Sequence, residues 1–147
     1  MTTRASILHA FKDVFQREAT VTVKSPGRIN IIGEHTDYNN GFVLPAAIDK
    51  YIYVAISERN DNELHLYSGD YKEKYTSPLT ATVEDAPKWA KYINEVSQLI
   101  NKRTNKVKGF DLYVEGDVPL GAGLSSSAAL SCATGFAINT LFSAALS

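Results

Sequence analysis

Apolar residues recur at helical spacing near the start of the chain, where Ile7, Leu8, Phe11, Val14 and Phe15 form one stripe between Arg4 and Glu18. A stripe of that period predicts a surface helix laid on a core. The period then drops to two. Thr20 to Lys24 alternates, Ile29 to Ile32 is short and mostly apolar, and Phe42 to Ile48 follows the turn signal Asn39-Asn40-Gly41, so an antiparallel pair is expected. Pro45 removes a ladder donor and belongs at an edge or bulge. Tyr51 to Glu58 and Glu63 to Ser68 continue the strand pattern around the turn-rich Asn60-Asp61-Asn62.

Helical spacing returns in Trp89, Tyr92, Ile93, Val96, Leu99 and Ile100, with Asp85 as the expected N-cap, Pro87 just inside, and Lys102-Arg103 at the end. Phe110 to Val114 predicts another strand, Gly116 to Gly123 a glycine-rich loop, and the Ala- and Leu-rich stretch from Ser125 a last helix. On that helix Leu130, Ile138, Leu141, Phe142 and Leu146 fall within about 160° of arc. No charge appears after Asp117, which predicts a helix buried on most sides. The Ser and Thr content and the lack of interface anchors argue against a membrane span. Strand-rich rather than regularly alternating, the order reads as an α+β domain over residues 1–147. The chain reaches Ser147 within the last helical pattern, without a Gly cap, a Pro stop or a basic last turn, so it is expected to be the front part of something longer.

Composition narrows the classes. At 147 residues, with 44% apolar and 21% charged, the chain can bury a core without disulfides or metals. Fifteen basic against sixteen acidic residues give no excess charge for a polyanion, so no nucleic acid is expected as partner. The basic run Lys102, Arg103, Lys106 and Lys108 fits a solvated, dipole-compensated helix end. The first fifteen residues lack an uninterrupted apolar run and are not a signal peptide. A single cysteine, Cys132, suits a reducing compartment, so a cytoplasmic location is expected.

Two segments carry candidate chemistry. In Gly116 to Ala129 a strand end passes through a glycine turn into Ser125-Ser126-Ser127. Glycines let backbone N-H groups approach an anion, and a helix start leaves its own N-H groups free. Serine hydroxyls there can donate to phosphate or ligate Mg²⁺, which prefers oxygen. No lysine follows the glycines, so this is not a Walker loop. Ser126 and the missing downstream carboxylate exclude a dinucleotide fingerprint. The competing reading is an ordinary helix cap. The other segment, Ser25 to Gly41, gathers Arg28, Glu34, His35, Thr36 and Asp37. Its donors and acceptors suit a polyhydroxylated ligand, and Arg28 suits a carboxylate or phosphate. A metal site and a solvated turn with a local ion pair are the alternatives; His9 and His65 stand in no ligand spacing with His35.

Together the two segments resemble the GHMP small-molecule kinases. Gly27-Arg-Ile-Asn-Ile-Ile-Gly-Glu-His-Thr-Asp-Tyr38 resembles the galactokinase signature, and Pro119 to Ala128 fits the family's Pro-x-x-x-Gly-Leu-Ser-Ser-Ser-Ala pattern. The resemblance implies an N-terminal domain like domain 2 of ribosomal protein S5, with the C-terminal domain absent from this chain. It further implies that ATP phosphorylates galactose at the C1 hydroxyl. Glu34, His35, Thr36 and Asp37 would bind the sugar, and Arg28 would stabilise the transferring phosphoryl group. Gly121, Ala122, Gly123, Leu124, Ser125, Ser126 and Ser127 would wrap the ATP phosphates, with Ser127 on Mg²⁺. Trp89 and Tyr92 would face the adenine or pack in the core, and Tyr38 belongs to the signature without an assigned role. The family's general-base aspartate, its acidic second Mg²⁺ ligand and a C-terminal domain packing on this one are expected beyond Ser147, leaving this chain an inactive fragment. A non-catalytic galactokinase-like sugar sensor, or a GHMP kinase for another sugar, are the alternatives. The uninterrupted Ser125-Ser126-Ser127-Ala128-Ala129 favours an enzyme, and Glu34 to Tyr38 a neutral hexose.

Overall fold

The computed structural model describes residues 1–33, 35–118 and 124–146, with Asp37 described by its backbone. Helix α1, Arg4–Phe15, begins in a reciprocal capping box: Ser6 N-H donates to Thr3 Oγ1 at 3.2 Å and Thr3 N-H to Ser6 Oγ at 2.9 Å. It stops three residues before the expected Glu18, because Gln16 turns left-handed at φ 56° and returns its N-H to the Lys12 carbonyl.

Strands β1 (Val21–Ile32), β2 (Leu44–Glu58), β3 (Glu63–Ser68), β4 (Glu73–Pro78) and β5 (Phe110–Gly116) form one sheet ordered β1-β2-β5-β3-β4. Only the β3–β5 pair among these neighbours is parallel. Two expectations are corrected here. Thr20–Lys24 and Ile29–Ile32 are one strand, because a register shift between Pro26 and Arg28 absorbs the Pro-Gly breaker, and β1 lies at the sheet edge, where a missing donor is tolerated. Leu44–Ile48 and Tyr51–Glu58 likewise fuse into β2, and Phe42 and Val43, expected in the strand, lie outside it. Pro45 does lie beside an irregularity, opposite Asn30, on a stretch of β2 that pairs with β1 alone. Strand β4 is new: its Glu-Lys-Tyr-Thr-Ser-Pro sequence is too polar to signal a core strand, and it forms the other, charged edge.

Helix α2, Lys88–Thr104, and helix α3, Ser126–Leu141, cover one face of the sheet. Ile93, Ala133, Ala137 and Ile138 meet Val54, Ile56, Leu64, Leu66, Phe110 and Leu112 there. On the other face α1 sets Ile7 and Phe11 against Ala55 and Tyr113. With both faces covered, Phe110 to Val114 are all buried rather than alternating. Asp85 is not the α2 cap; Pro87 occupies that place with extended backbone and no side-chain hydrogen bond. Leu99 leaves the predicted stripe and is 64% exposed, whereas the small polar residues Asn94 and Ser97 take buried positions by bonding back to the helix carbonyls of Ala90 and Ile93. The basic run after α2 is used locally, with Lys106 donating to the Ser143 carbonyl and Lys108 paired with Glu58.

Helix α3 corrects a further expectation. It closes at Leu141 rather than running to Leu146, and the following turn is held by the Asn139 amide, which both donates to and accepts from the Leu146 backbone. It is buried on most sides, as expected: its exposed positions, Cys132, Phe136 and Thr140, fall on one narrow stripe four residues apart. Small side chains, among them Gly135 against Val96, let α3 lie close to α2, and the resulting burial accounts for its uncharged composition. Among the described residues no helix is long and apolar enough to cross a membrane.

Candidate active site

A cleft of about 520 Å³ opens where the C-terminal end of β5 meets the start of α3. One wall is the turn between β3 and β4, contributing Ser68, Asp70 and Tyr71; the opposite wall is the first turns of α2, contributing Lys88, Trp89 and Tyr92. Leu124 to Ser127 close the end, over a floor that includes Ile52 and Val114. The Trp89 indole is 7% exposed and donates its N-H to Glu73 Oε2 at 2.7 Å, so it belongs at once to the core and to the cleft lining. Asp70 accepts the Gly116 N-H at 3.1 Å. Partial burial holds its carboxyl above the usual range; the Gly116 bond opposes this, and Glu115 and Asp117 add to it.

The entry to α3 is unusual. Ser125 occupies the N-cap position in a left-handed conformation, φ 56°, and its side chain does not cap the helix. Ordinary capping by this serine is therefore excluded, and the first-turn N-H groups face the cleft end with the dipole's positive pole. A non-glycine residue held left-handed costs about 1 to 3 kcal/mol and persists where surrounding contacts impose it. One such contact is visible: the Arg28 N-H donates to the Leu124 carbonyl at 3.0 Å, just before the strained residue. Gly27 makes the approach possible, since a Cβ there would stand 3.0 Å from both the Leu124 oxygen and Ile48. The two segments singled out in the sequence thus touch through backbone.

Beyond Arg28 the edge strand ends in a tight loop. Gly33 has φ +98°, and a Cβ on it would lie 2.4 Å from the Phe42 carbonyl, so only glycine fits. Thr36 staples the loop from within: its hydroxyl lies 3.2 Å from the Gly33 carbonyl and 3.0 Å from that of Phe42, and its own carbonyl accepts from Asn39 and Gly41. Its geometry is that of a loop-closing residue. His35 and Tyr38 are exposed and share a hydrogen bond of 3.0 Å between Nδ1 and the phenol oxygen, while Asn39 ties down the His35 carbonyl. A single 3₁₀ turn, Asp37–Asn39, carries Asp37. Arg28 is half-buried on β1. Glu34, the Asp37 side chain, and Gly121, Ala122 and Gly123 lie outside the described residues.

Comparison with known proteins follows the same two segments. The galactokinase galactose-binding signature matches residues 9–58, and the GHMP kinase N-terminal domain matches residues 91–147. The chain belongs to the GHMP kinases. Its fold superposes on the crystal structure of Lactococcus lactis galactokinase complexed with galactose with a TM-score of 0.84 at 31% identity, covering 99% of this chain and 39% of that one. It therefore spans about two fifths of that enzyme's length. Methanococcus jannaschii mevalonate kinase shares the fold at 20% identity and a TM-score of 0.76, over 86% of this chain and 42% of that one. Streptococcus pneumoniae phosphomevalonate kinase does so at 20% and 0.67, over 87% and 39%.

Within this GHMP kinase domain the cleft is also lined by residues that the sequence did not mark. Asp70, Tyr71 and Lys88 line the cleft without belonging to either motif, and Glu73 reaches it through Trp89. A polar turn before an unrecognised edge strand gave no signal for the first two. Gly27 was legible only as part of the signature, not as the place where a neighbouring loop crosses the strand.

Proposed function

We propose that this chain is the galactose- and ATP-binding part of a galactokinase, which transfers the γ-phosphoryl group of ATP to the C1 hydroxyl of galactose in the cytoplasm. Support comes from the galactose-binding signature over 9–58 and from the 31% identity to an enzyme crystallised with galactose. The single observation that carries the reading is the backbone bond from Arg28 to Leu124, because it sets the strand of the sugar signature against the end of the phosphate loop. Two substrates that exchange a phosphoryl group must meet, and proximity of this kind supplies much of the rate.

In this reading Glu34, His35 and Asp37 hold sugar hydroxyls, and Arg28 neutralises charge on the group in transit. Gly121 to Gly123 and Leu124 to Ser127 cradle the phosphates at the start of α3. The nucleotide base lies against Trp89 and Tyr92. Ser127 fits Mg²⁺ chemically, as a half-buried oxygen donor on the cleft lining. Among the described residues no group of three or more His, Cys, Asp or Glu stands together as a metal cage. Bound there, Mg²⁺ would neutralise phosphate charge. Turnover is proposed for the whole enzyme, with a carboxylate base and a domain packed on this one supplied outside these residues.

Calorimetric titration of galactose into this chain, with glucose as the control, tests the sugar half. Binding of galactose that Asp37→Ala abolishes supports the reading. Equal heats for the variant and its parent would overturn it.

A further inference from the structure

The cleft has two side walls on different elements, and the hydrogen bond from Trp89 to Glu73 joins them. Glu73 is the first residue of β4 and pairs with Ser68 across the turn that carries Asp70 and Tyr71. Trp89 stands in the first turn of α2, between Lys88 and the rest of the buried stripe. An indole N-H is a donor with no acceptor capacity, so a nearly buried Trp needs a partner. Here it has a carboxylate at 2.7 Å, within the range of a charge-assisted bond. The carboxylate is otherwise at the exposed edge of the sheet, where no packing demands it. From these facts we infer that Glu73 is a positioning residue: it fixes the Trp89 ring plane as a preformed wall of the nucleotide cleft and ties the β3–β4 turn to α2.

This inference rests on the nucleotide reading given above and deepens it. A ring free to rotate must be ordered when a base stacks on it, which weakens binding; a ring already held avoids that cost. Glu73 touches no reacting atom, and its loss acts through the indole. Glutamine keeps a carbonyl acceptor at the same reach, so Glu73→Gln should preserve the wall, whereas Glu73→Ala should release it.

Trp89 is the single tryptophan of the chain, so fluorescence excited at the long-wavelength edge, where the eight tyrosines do not absorb, reads this wall alone. Without nucleotide, Glu73→Ala should shift the emission to the red and increase quenching by acrylamide, while Glu73→Gln stays near the parent. On titration with Mg-ATP, the parent and Glu73→Gln should agree within about twofold in Kd, and Glu73→Ala should bind about tenfold more weakly, equal to about 1.4 kcal/mol. In a Trp89→Phe background, which keeps a ring but has no N-H, calorimetry should find no further loss from Glu73→Ala. Unchanged emission and Kd in Glu73→Ala, or a full tenfold loss from Glu73→Ala in the Trp89→Phe background, would overturn the positioning role. Should the parent itself ignore Mg-ATP, the nucleotide reading falls instead, and the emission and acrylamide data without ligand still decide whether Glu73 holds the ring.

Discussion

The two ends of the sheet are built differently. At one end, where β2 finishes and β3 and β5 begin, charged side chains answer one another. Asp111, 3% exposed in its side chain, receives Arg59 at 2.9 Å and Arg17 at 3.4 Å, and Arg59 also clasps Asp61 through two nitrogens at 3.0 and 2.7 Å. At the other end, where β3 and β5 finish and β1 turns back, carboxylates meet backbone instead: Asp70 accepts the Gly116 N-H and Asp117 that of Tyr51. Ser125 is left-handed and caps nothing, Asp70 is partly desolvated beside two other carboxylates, and Ile31, Ile32 and Phe42 are 61%, 64% and 97% exposed. A pole whose charges pair with one another contributes stability, and a pole that lines a cleft and exposes apolar side chains is open to recognition.

Mutations should separate the poles. Asp111→Ala leaves Arg59 half-enclosed without its buried partner and should cost about 3 kcal/mol, at the low end for a broken buried pair because Arg59 keeps Asp61. Urea unfolding measures the loss, and the folded fraction should bind Mg-ATP as the parent does; a weakened Kd would blur the division. Next in size, Gly33→Ala forces a side chain into φ +98° against the Phe42 carbonyl, at about 1 to 3 kcal/mol of local strain. Galactose affinity should collapse while far-ultraviolet dichroism stays unchanged, since the strain is confined to the loop. A retained galactose affinity would mean that the loop shape does not matter for recognition.

Ser127→Ala should change stability by less than about 0.5 kcal/mol, because the half-buried serine is no part of the core, yet should raise the Mg²⁺ concentration needed for nucleotide binding. Identical Mg²⁺ dependence in thermal-shift titrations would assign Ser127 to structure alone. The smallest effect belongs to pH. The Arg59 bond, helped by the Glu63 N-H, holds the Asp61 carboxyl at about 2, below its unfolded value of 3.8. Its contribution is therefore complete above pH 3.8 and lost as pH falls toward 2. Asp61→Asn should remove that portion of the acid slope in denaturation curves and leave ligand binding at neutral pH untouched.

How much of this was legible depended on whether a residue's role is local. The stripes of α1 and α2, the β period and the α+β class follow from spacing, and the two motifs carry the family resemblance in their residues alone. Three kinds of feature were hidden. Strand continuity across Pro26-Gly27 depends on a bulge at an edge, which the residues mark only as a breaker. Asp111 looks like the polar half of an alternating strand, and its burial follows from arginines roughly fifty and ninety residues away in sequence. Strand β4 is polar because it is an edge, so Glu73 gave no hint that it meets Trp89. The sugar motif was likewise visible as a list of donors and acceptors. That Thr36 turns its hydroxyl inward, to the Gly33 and Phe42 carbonyls, needed the loop.

The central claim is that galactose and nucleotide meet at one pole of this domain, where Arg28 joins Leu124. Amide NMR of the labelled chain, titrated with galactose and then Mg-ATP, tests it most directly. Galactose should shift resonances from Arg28 to Gly41. Mg-ATP should shift Ser68 to Tyr71, Lys88 to Tyr92 and Leu124 to Leu130. The Arg28 and Leu124 amides should respond to both ligands, and Arg59, Asp61 and Asp111 to neither. Shifts centred on the Arg59–Asp111 pole, or two ligand footprints that do not meet at Arg28 and Leu124, would contradict the account.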